Sequence, residues 1–298
     1  MPLLAKRITS ELGNISPILL VPGPYSDAEL QFQAEDAASY FVMNASFLCN
    51  AAKMLVLPRQ WLGSDKFRSG IEAVCESVPP RQAYYPGAEE RWRTLTQGRG
   101  NVNTIGAQRP GALPWTFIGN LDPRSAAEPL FMLEPFCSIL SETRLGSADP
   151  IEFLSEAVDF CNNRLWGTLS ATIIVHPQTM KDARIAQAVE QAITKLKYGS
   201  IGVNGFVGMS FVLASPPWGA YPGATLDDIQ SGTGFVHNTP MLEGIEKAVI
   251  RFPLTSFPKP GYFPSHRTTH KLMRSMVRMD EKASWSKIPG MVFNAMRG

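Results

Sequence analysis

A chain of 298 residues is long enough for a sizeable core, built as one large domain or two small ones. With 44% apolar residues, 18% charged and a net charge of +2, it has the composition of an ordinary globular chain, and no Arg/Lys stripe interleaved with aromatics points to nucleic acid. The four cysteines, at 49, 75, 137 and 161, form no C-x-x-C pair, which fits free thiols in a reducing compartment better than a disulfide framework or a zinc site. Lys6, Arg7 and Glu11 interrupt the N-terminus before an apolar signal region could form. The uncharged run from Tyr198 to Leu226 holds too much Gly, Pro, Ser and Asn for a membrane helix. A soluble cytoplasmic protein is expected, with membrane contact unlikely.

Taken in order, Ile18–Val21 reads as a buried strand ending at Pro22-Gly23-Pro24. Ser26-Asp-Ala-Glu29 is a capping box that opens a helix with Leu30, Ala34, Ala37, Ala38, Phe41 and Val42 on its core stripe. Met54 to Leu57 reads as a short buried strand stopping at Pro58, so Cys49 falls in the turn between helix and strand, where a thiol can be exposed and held still. A thiolate is a strong nucleophile when its surroundings lower its pKa. Asn44 reads equally as the helix C-cap and as a residue positioning that turn.

Leu62–Val78 is a second amphipathic helix, ended by Pro79-Pro80 and enclosing Cys75 as a core residue. Regularity is expected to fail from Arg81 to Arg124, apart from a turn and one helix within Tyr84–Trp92. Asp149 caps a helix with Pro150 at its first position, and Ile151, Leu154, Ala157, Val158 and Cys161 form its buried face. Leu169–Val175 is a strand, Ala183–Leu196 a helix stopped by Gly199, and Ser200–Asn204 a strand. Strands alternating with helices predict an α/β fold whose mostly parallel sheet is flanked by helices.

An isolated Cys is most often a small core hydrophobe. Cys49 is set apart by the upstream stretch Glu11-Leu-Gly-Asn-Ile-Ser-Pro17, because the two together resemble the aldehyde dehydrogenase superfamily. There a Glu-Leu-Gly-Gly-Lys-Ser-Pro segment supplies the general base and an Asn-x-Gly-Gln-x-Cys segment the nucleophile. Glu11, Leu12, Gly13, Ser16 and Pro17 match the first, while Asn44 and Cys49 match the second. Asn14 and Ile15 replace Gly-Lys, and Ser46 and Phe47 replace Gly-Gln. Glu134 and Phe136 match a Glu-x-Phe that lies before a strand, the stretch from Ala157 to Val175 matches a further segment, and Pro217-Trp218-Gly219 and Ser231-Gly-Thr-Gly234 are close to two more.

The resemblance implies an aldehyde-dehydrogenase-like catalytic domain over residues 1–254 and a basic extension over 255–298. It implies oxidation of an aldehyde through Cys49, with Glu11 as general base and Asn44 in the nucleophile turn. NAD or NADP would be the cofactor, touched by Glu134 and Phe136, with Phe206, Phe211 and Trp218 as an apolar wall. The strand at 246–254 would be exchanged in a homo-oligomer. The nucleotide-binding half of the superfamily has no counterpart here, since the glycines at 98–100 and 232–234 lack the third glycine of G-x-G-x-x-G. A partner chain supplying that half is therefore expected. Two alternatives stand beside this reading: a non-catalytic dimerising remnant, and a cofactor-independent thiol esterase using Cys49 and Glu11. His266 and His270 have helical spacing for a metal, but no third ligand is suggested. Leu272, Met273, Met276 and Val277 give the extension an apolar face suited to docking on this or another chain, with an anionic membrane a weaker option.

Overall fold

The computed structural model describes residues 6, 8–107, 109–237 and 241–298. Eight strands form its central sheet: β1 (Ser16–Leu20), β2 (Ala52–Pro58), β3 (Val102–Ile105), β4 (Trp115–Leu121), β5 (Ile139–Leu145), β6 (Ser170–Ile174), β7 (Ser200–Val203) and β8 (Ala248–Arg251). Their spatial order is β8-β7-β6-β1-β2-β5-β4-β3, parallel throughout except for the antiparallel pair of β3 and β4 at one edge.

The strand sequences explain the layering. Successive side chains point to opposite faces, so Ile18, Leu20, Leu55 and Leu57 meet α1 (Asp27–Val42) and α2 (Leu62–Ser77) on one side. Leu19, Val21, Met54 and Val56 meet the opposite layer, where α3 (Ala88–Thr96), α4 (Pro150–Arg164) and α5 (Ala183–Lys195) contribute apolar side chains. Burial on both faces accounts for the unbroken apolar runs in β1 and β2. The capping box at Ser26 and Glu29 forms as expected, and Asp149 accepts from the backbone N–H groups of Ile151 and Glu152.

Several expectations are corrected. The stretch 81–124 is not irregular, because it holds α3, β3 and β4. Ile151 is 37% exposed, and Phe153 and Phe160 take the buried places on α4 with Leu154, Ala157, Val158 and Cys161. Phe206 leaves the predicted apolar wall and stacks on Tyr40 at 4.6 Å in the core beneath α1. His266 lies ahead of helix α6 (Thr269–Glu281), so it shares no helical face with the exposed His270. Residues 238–240, just ahead of the strand expected to be exchanged, lie outside the described residues. Within 246–254, only Ala248–Arg251 is strand, and it pairs with β7 of its own chain.

Two short antiparallel ribbons sit beside the sheet. Ser10–Glu11 pairs with Gly232–Thr233, and Trp218–Gly219 pairs with Phe235–Val236. Gly232 adopts φ +110°, and a Cβ there would lie 2.1 Å from the Ser10 carbonyl oxygen, so the first ribbon requires glycine at this position.

Candidate active site

The predicted site residues converge at the amino ends of the parallel strands. Glu11 precedes β1, Cys49 precedes β2, and Glu134 and Phe136 precede β5. Open α/β sheets usually bind ligands at the carboxyl ends of their strands, so this arrangement departs from that rule.

Cys49 is half-buried in the turn after α1 and packs against Leu169, Val207 and Trp218. The Glu11 carboxylate lies close enough to the Cys49 thiol to act on its protonation. Trp218 Nε1 donates to Glu11 Oε1 at 3.0 Å. Burial pushes the Cys49 thiol well above its usual range, and the negative charges of Glu11 and Glu134 add to that shift. No cation among the described residues offsets these effects, so the resting group is a thiol.

The turn itself is unusual. Asn44, Ala45 and Ser46 have φ values of 53°, 55° and 68°, a left-handed run that costs roughly 1–2 kcal/mol per non-glycine residue. Asn44 Nδ2 donates to the Phe47 carbonyl at 3.2 Å, so Asn44 shapes the turn rather than touching Cys49. Ser46 stands where the resembled motif has glycine, and a buried lysine supports it. Lys53 Nζ donates to Ser46 O at 2.9 Å, to Ser46 Oγ at 2.6 Å and to Cys137 O at 2.9 Å. All three ammonium hydrogens are thereby used, and the nucleophile turn is tied to the segment that carries Glu134 and Phe136. Lys53 was missed in the sequence, although a lysine inside the run Ala51-Ala-Lys-Met-Leu-Val-Leu57 was a visible signal.

Glu134 lies against the Gly13 backbone, where an added Cβ would sit 2.1 Å from its carboxylate. Its Oε1 is buried without a partner. Burial raises its pKa, against the pull of Lys53, and the Glu11 charge raises it further. Burial likewise lowers Lys53. Phe136 joins an aromatic cluster in which its ring lies 4.7 Å from Tyr85 and 5.7 Å from Phe47. Phe47 also meets Tyr84 at 4.9 Å. Asn14, which replaces a motif glycine, is buried and structural: it donates to Ser170 O at 2.9 Å and accepts from Ser16 Oγ at 2.7 Å. Of the predicted wall, Phe211 packs on Trp218 at 5.8 Å. Cys75, Cys137 and Cys161 are buried away from solvent. Among the described residues no group of three metal-ligating side chains occurs.

No protein-family profile and no curated protein matches this sequence. Solved structures do match. The γ-glutamyl-γ-aminobutyraldehyde dehydrogenase of Burkholderia cenocepacia superposes with a TM-score of 0.59 at 22% identity, covering 80% of this chain and 45% of that one. Betaine aldehyde dehydrogenase of Staphylococcus aureus, solved with NAD+, gives 0.56 at 19% identity, covering 78% and 43%. The NADP-dependent glyceraldehyde-3-phosphate dehydrogenase of Bacillus halodurans, solved with NADP, gives 0.56 at 16%, covering 77% and 44%. The chain thus has an aldehyde dehydrogenase fold over most of its length and spans less than half the length of these structures.

Proposed function

We propose that residues 1–254 form the thiol-bearing catalytic domain of an aldehyde dehydrogenase, which oxidises an aldehyde to a carboxylic acid. The observation that carries this reading is the Glu11 carboxylate beside the Cys49 thiol, held by the Trp218 Nε1 donor at 3.0 Å. As Cys49 sulfur attacks the aldehyde carbonyl, its proton passes to Glu11, so the high thiol pKa is no obstacle to attack. The carbonyl oxygen becomes an oxyanion, to which the Cys49 backbone N–H would donate. Trp218 Nε1 fixes the carboxylate that receives the proton. Once Glu11 has released that proton to solvent it takes one from water as the water oxygen adds to the Cys49 thioester, and it returns the proton to the Cys49 thiolate as the acid leaves.

The groups present fit a nicotinamide cofactor. Glu134 Oε1 is a buried acceptor without a donor, suited to a ribose hydroxyl, and Phe136 presents an aromatic edge beside it. NAD or NADP bound there would supply the hydride acceptor that converts the thiohemiacetal on Cys49 to a thioester. Its remaining contacts would come from a homo-oligomer, from a partner chain or from polypeptide outside these 298 residues. The strand Ala248–Arg251, at the sheet edge, is the element through which a second subunit would be engaged.

Hydrolysis of p-nitrophenyl acetate tests the thiol and base without a cofactor, and NAD(P)+ reduction with a medium-chain aldehyde tests the full reaction. Ester turnover lost in Cys49→Ala, together with aldehyde-dependent NAD(P)H formation, supports the proposal. Ester turnover that survives Cys49→Ala overturns it. Cys49-dependent ester turnover without NAD(P)H formation, even when a nucleotide-binding partner is supplied, makes the protein a thiol esterase.

A further inference from the structure

The segment 255–298 stands apart from the proposed chemistry. It is anchored on α1: the Tyr262 hydroxyl donates to Asp36 Oδ1 at 2.7 Å, the Ser265 N–H donates to Glu35 Oε1 at 3.0 Å, and Phe263 packs on Phe32 at 5.0 Å. Beyond this anchor come α6 and a last helix, α7 (Ile288–Met296), which pack against each other.

Helix α7 is anomalous. Its sequence, Ile-Pro-Gly-Met-Val-Phe-Asn-Ala-Met, has no charged residue, yet none of its nine residues is buried. Trp285, just ahead of it, is 88% exposed, Phe293 is 58% exposed, and Val292, Met296 and Val277 are exposed with them. Packed on α6 with only Ile288, Met291 and Ala295 of its apolar residues half-buried, this helix leaves its other face without the partner for which its composition is suited. Lys287 donates to the Arg278 and Lys282 carbonyls and Arg297 lies over the Phe293 ring at 5.2 Å, but the other basic side chains nearby form no ion pair among the described residues. Seven Lys/Arg fall between 267 and 297 against Asp280 and Glu281 alone. Among the described residues, Arg267, Lys271, Arg274, Arg278 and Lys282 make no ion pair, and all five are exposed. Lys271, Arg274 and Arg278 recur at three- and four-residue spacing along one face of α6, with Arg267 just ahead of the helix and Lys282 just after it.

We propose that the α6–α7 hairpin is a docking surface for an anionic lipid bilayer. Exposed Trp, Phe, Met and Val beside unpaired Lys and Arg are the composition that seats an amphipathic helix at a charged bilayer interface. A second copy of the chain fits less well. A nine-residue helix is only about 13 Å long, and such a face falls well short of the ~800 Å² per partner of a stable interface. A second copy would also bring the same uncompensated positive charge. No helix among the described residues is long and apolar enough to cross a membrane, so the contact is peripheral. The unpaired charges and the unburied α7 reverse the order expected from sequence, which placed docking on a protein surface first.

The test is co-sedimentation of the full chain with vesicles of phosphatidylcholine alone and of phosphatidylcholine mixed with phosphatidylglycerol. Binding to the anionic vesicles is expected to be at least ~10-fold tighter and to weaken as salt is raised. The paired substitution Arg274→Glu and Arg278→Glu is expected to remove that preference. Trp285→Ser with Phe293→Ser should weaken binding by a similar factor, with thermal unfolding unchanged because these side chains are exposed. Equal affinity for both vesicles, or none for either, overturns the proposal. A concentration-dependent dimer broken by the Trp285 and Phe293 changes overturns it in favour of a second copy. Binding to heparin that matches the anionic vesicles and ignores Trp285→Ser overturns it in favour of a plain electrostatic patch for acidic polymers.

Discussion

Trp218 Nε1 donates to Glu11 Oε1 at 3.0 Å, joining two residues 207 positions apart in the sequence. The contact exists because each residue sits on a short ribbon beside the sheet, Glu11 opposite Gly232 and Trp218 opposite Val236. On the proposed chemistry the indole both walls the site and orients the base. Trp218→Phe keeps the ring and removes the donor. It should cost about 1.5–3 kcal/mol at most, the range for a hydrogen bond to a charged group. Ester turnover should fall roughly 10-fold or more while the fold persists. A comparison of kcat with Tm checks this, and a large loss of Tm with unchanged kcat would deny the orienting role.

Cys49 and Glu11 should respond in opposite directions to one change. The Glu11 charge helps hold the Cys49 thiol protonated, so Glu11→Gln should lower the thiol pKa and speed alkylation by iodoacetamide at pH 8. The same change removes the proton acceptor, and ester turnover should drop by about 10²-fold or more. Mass spectrometry should place the label on Cys49, since the other three cysteines are buried. Slower alkylation in Glu11→Gln would mean that the carboxylate promotes the thiolate instead of opposing it.

Lys53 holds the left-handed turn at Ser46 and the carbonyl of Cys137. Lys53→Met preserves much of the volume but leaves Ser46 O, Ser46 Oγ and Cys137 O without their buried donor. Destabilisation of about 3–5 kcal/mol is expected, the range for breaking a buried polar pairing. Urea unfolding measures it. A loss below about 1 kcal/mol would show that water replaces the ammonium.

The α/β layering was legible because β1, β2, β6 and β7 are short apolar runs and α1 and α4 begin with strong caps. The pairing of Glu11 with Cys49 was legible through motif resemblance. Strands β3 and β4 were not. Val102–Ile105 is an edge strand with Asn103 and Thr104 exposed, and β4 carries Gly119 and the left-handed Asn120, so neither shows a clean alternation. Lys53 was hidden because its three acceptors come from residues 46 and 137, which only the fold brings together. Asn14 and Ser46 looked like departures from a glycine-rich pattern, and their compensating hydrogen bonds are likewise long-range or loop-bound.

Asp36 gives the fold a pH dependence separate from the candidate site. Its carboxyl is buried on α1, where the hydroxyls of Tyr40 and Tyr262 donate to it. Burial raises its pKa from 3.8 to about 8, the Tyr262 hydrogen bond lowers it in part, and neighbouring Glu35 raises it. Between about pH 4 and pH 8 the folded chain therefore holds a proton on Asp36 that the unfolded chain has released. Stability from this group is complete below the unfolded value and is lost as pH rises through the folded one, by up to ~1.4 kcal/mol per pH unit. Asp36→Asn is neutral at every pH and should flatten the decline, so wild type and variant should differ in slope between urea midpoints at pH 5 and pH 8. Parallel slopes for the two proteins would show that Asp36 is ionised in the fold across the whole range, held so by the two tyrosine hydroxyls.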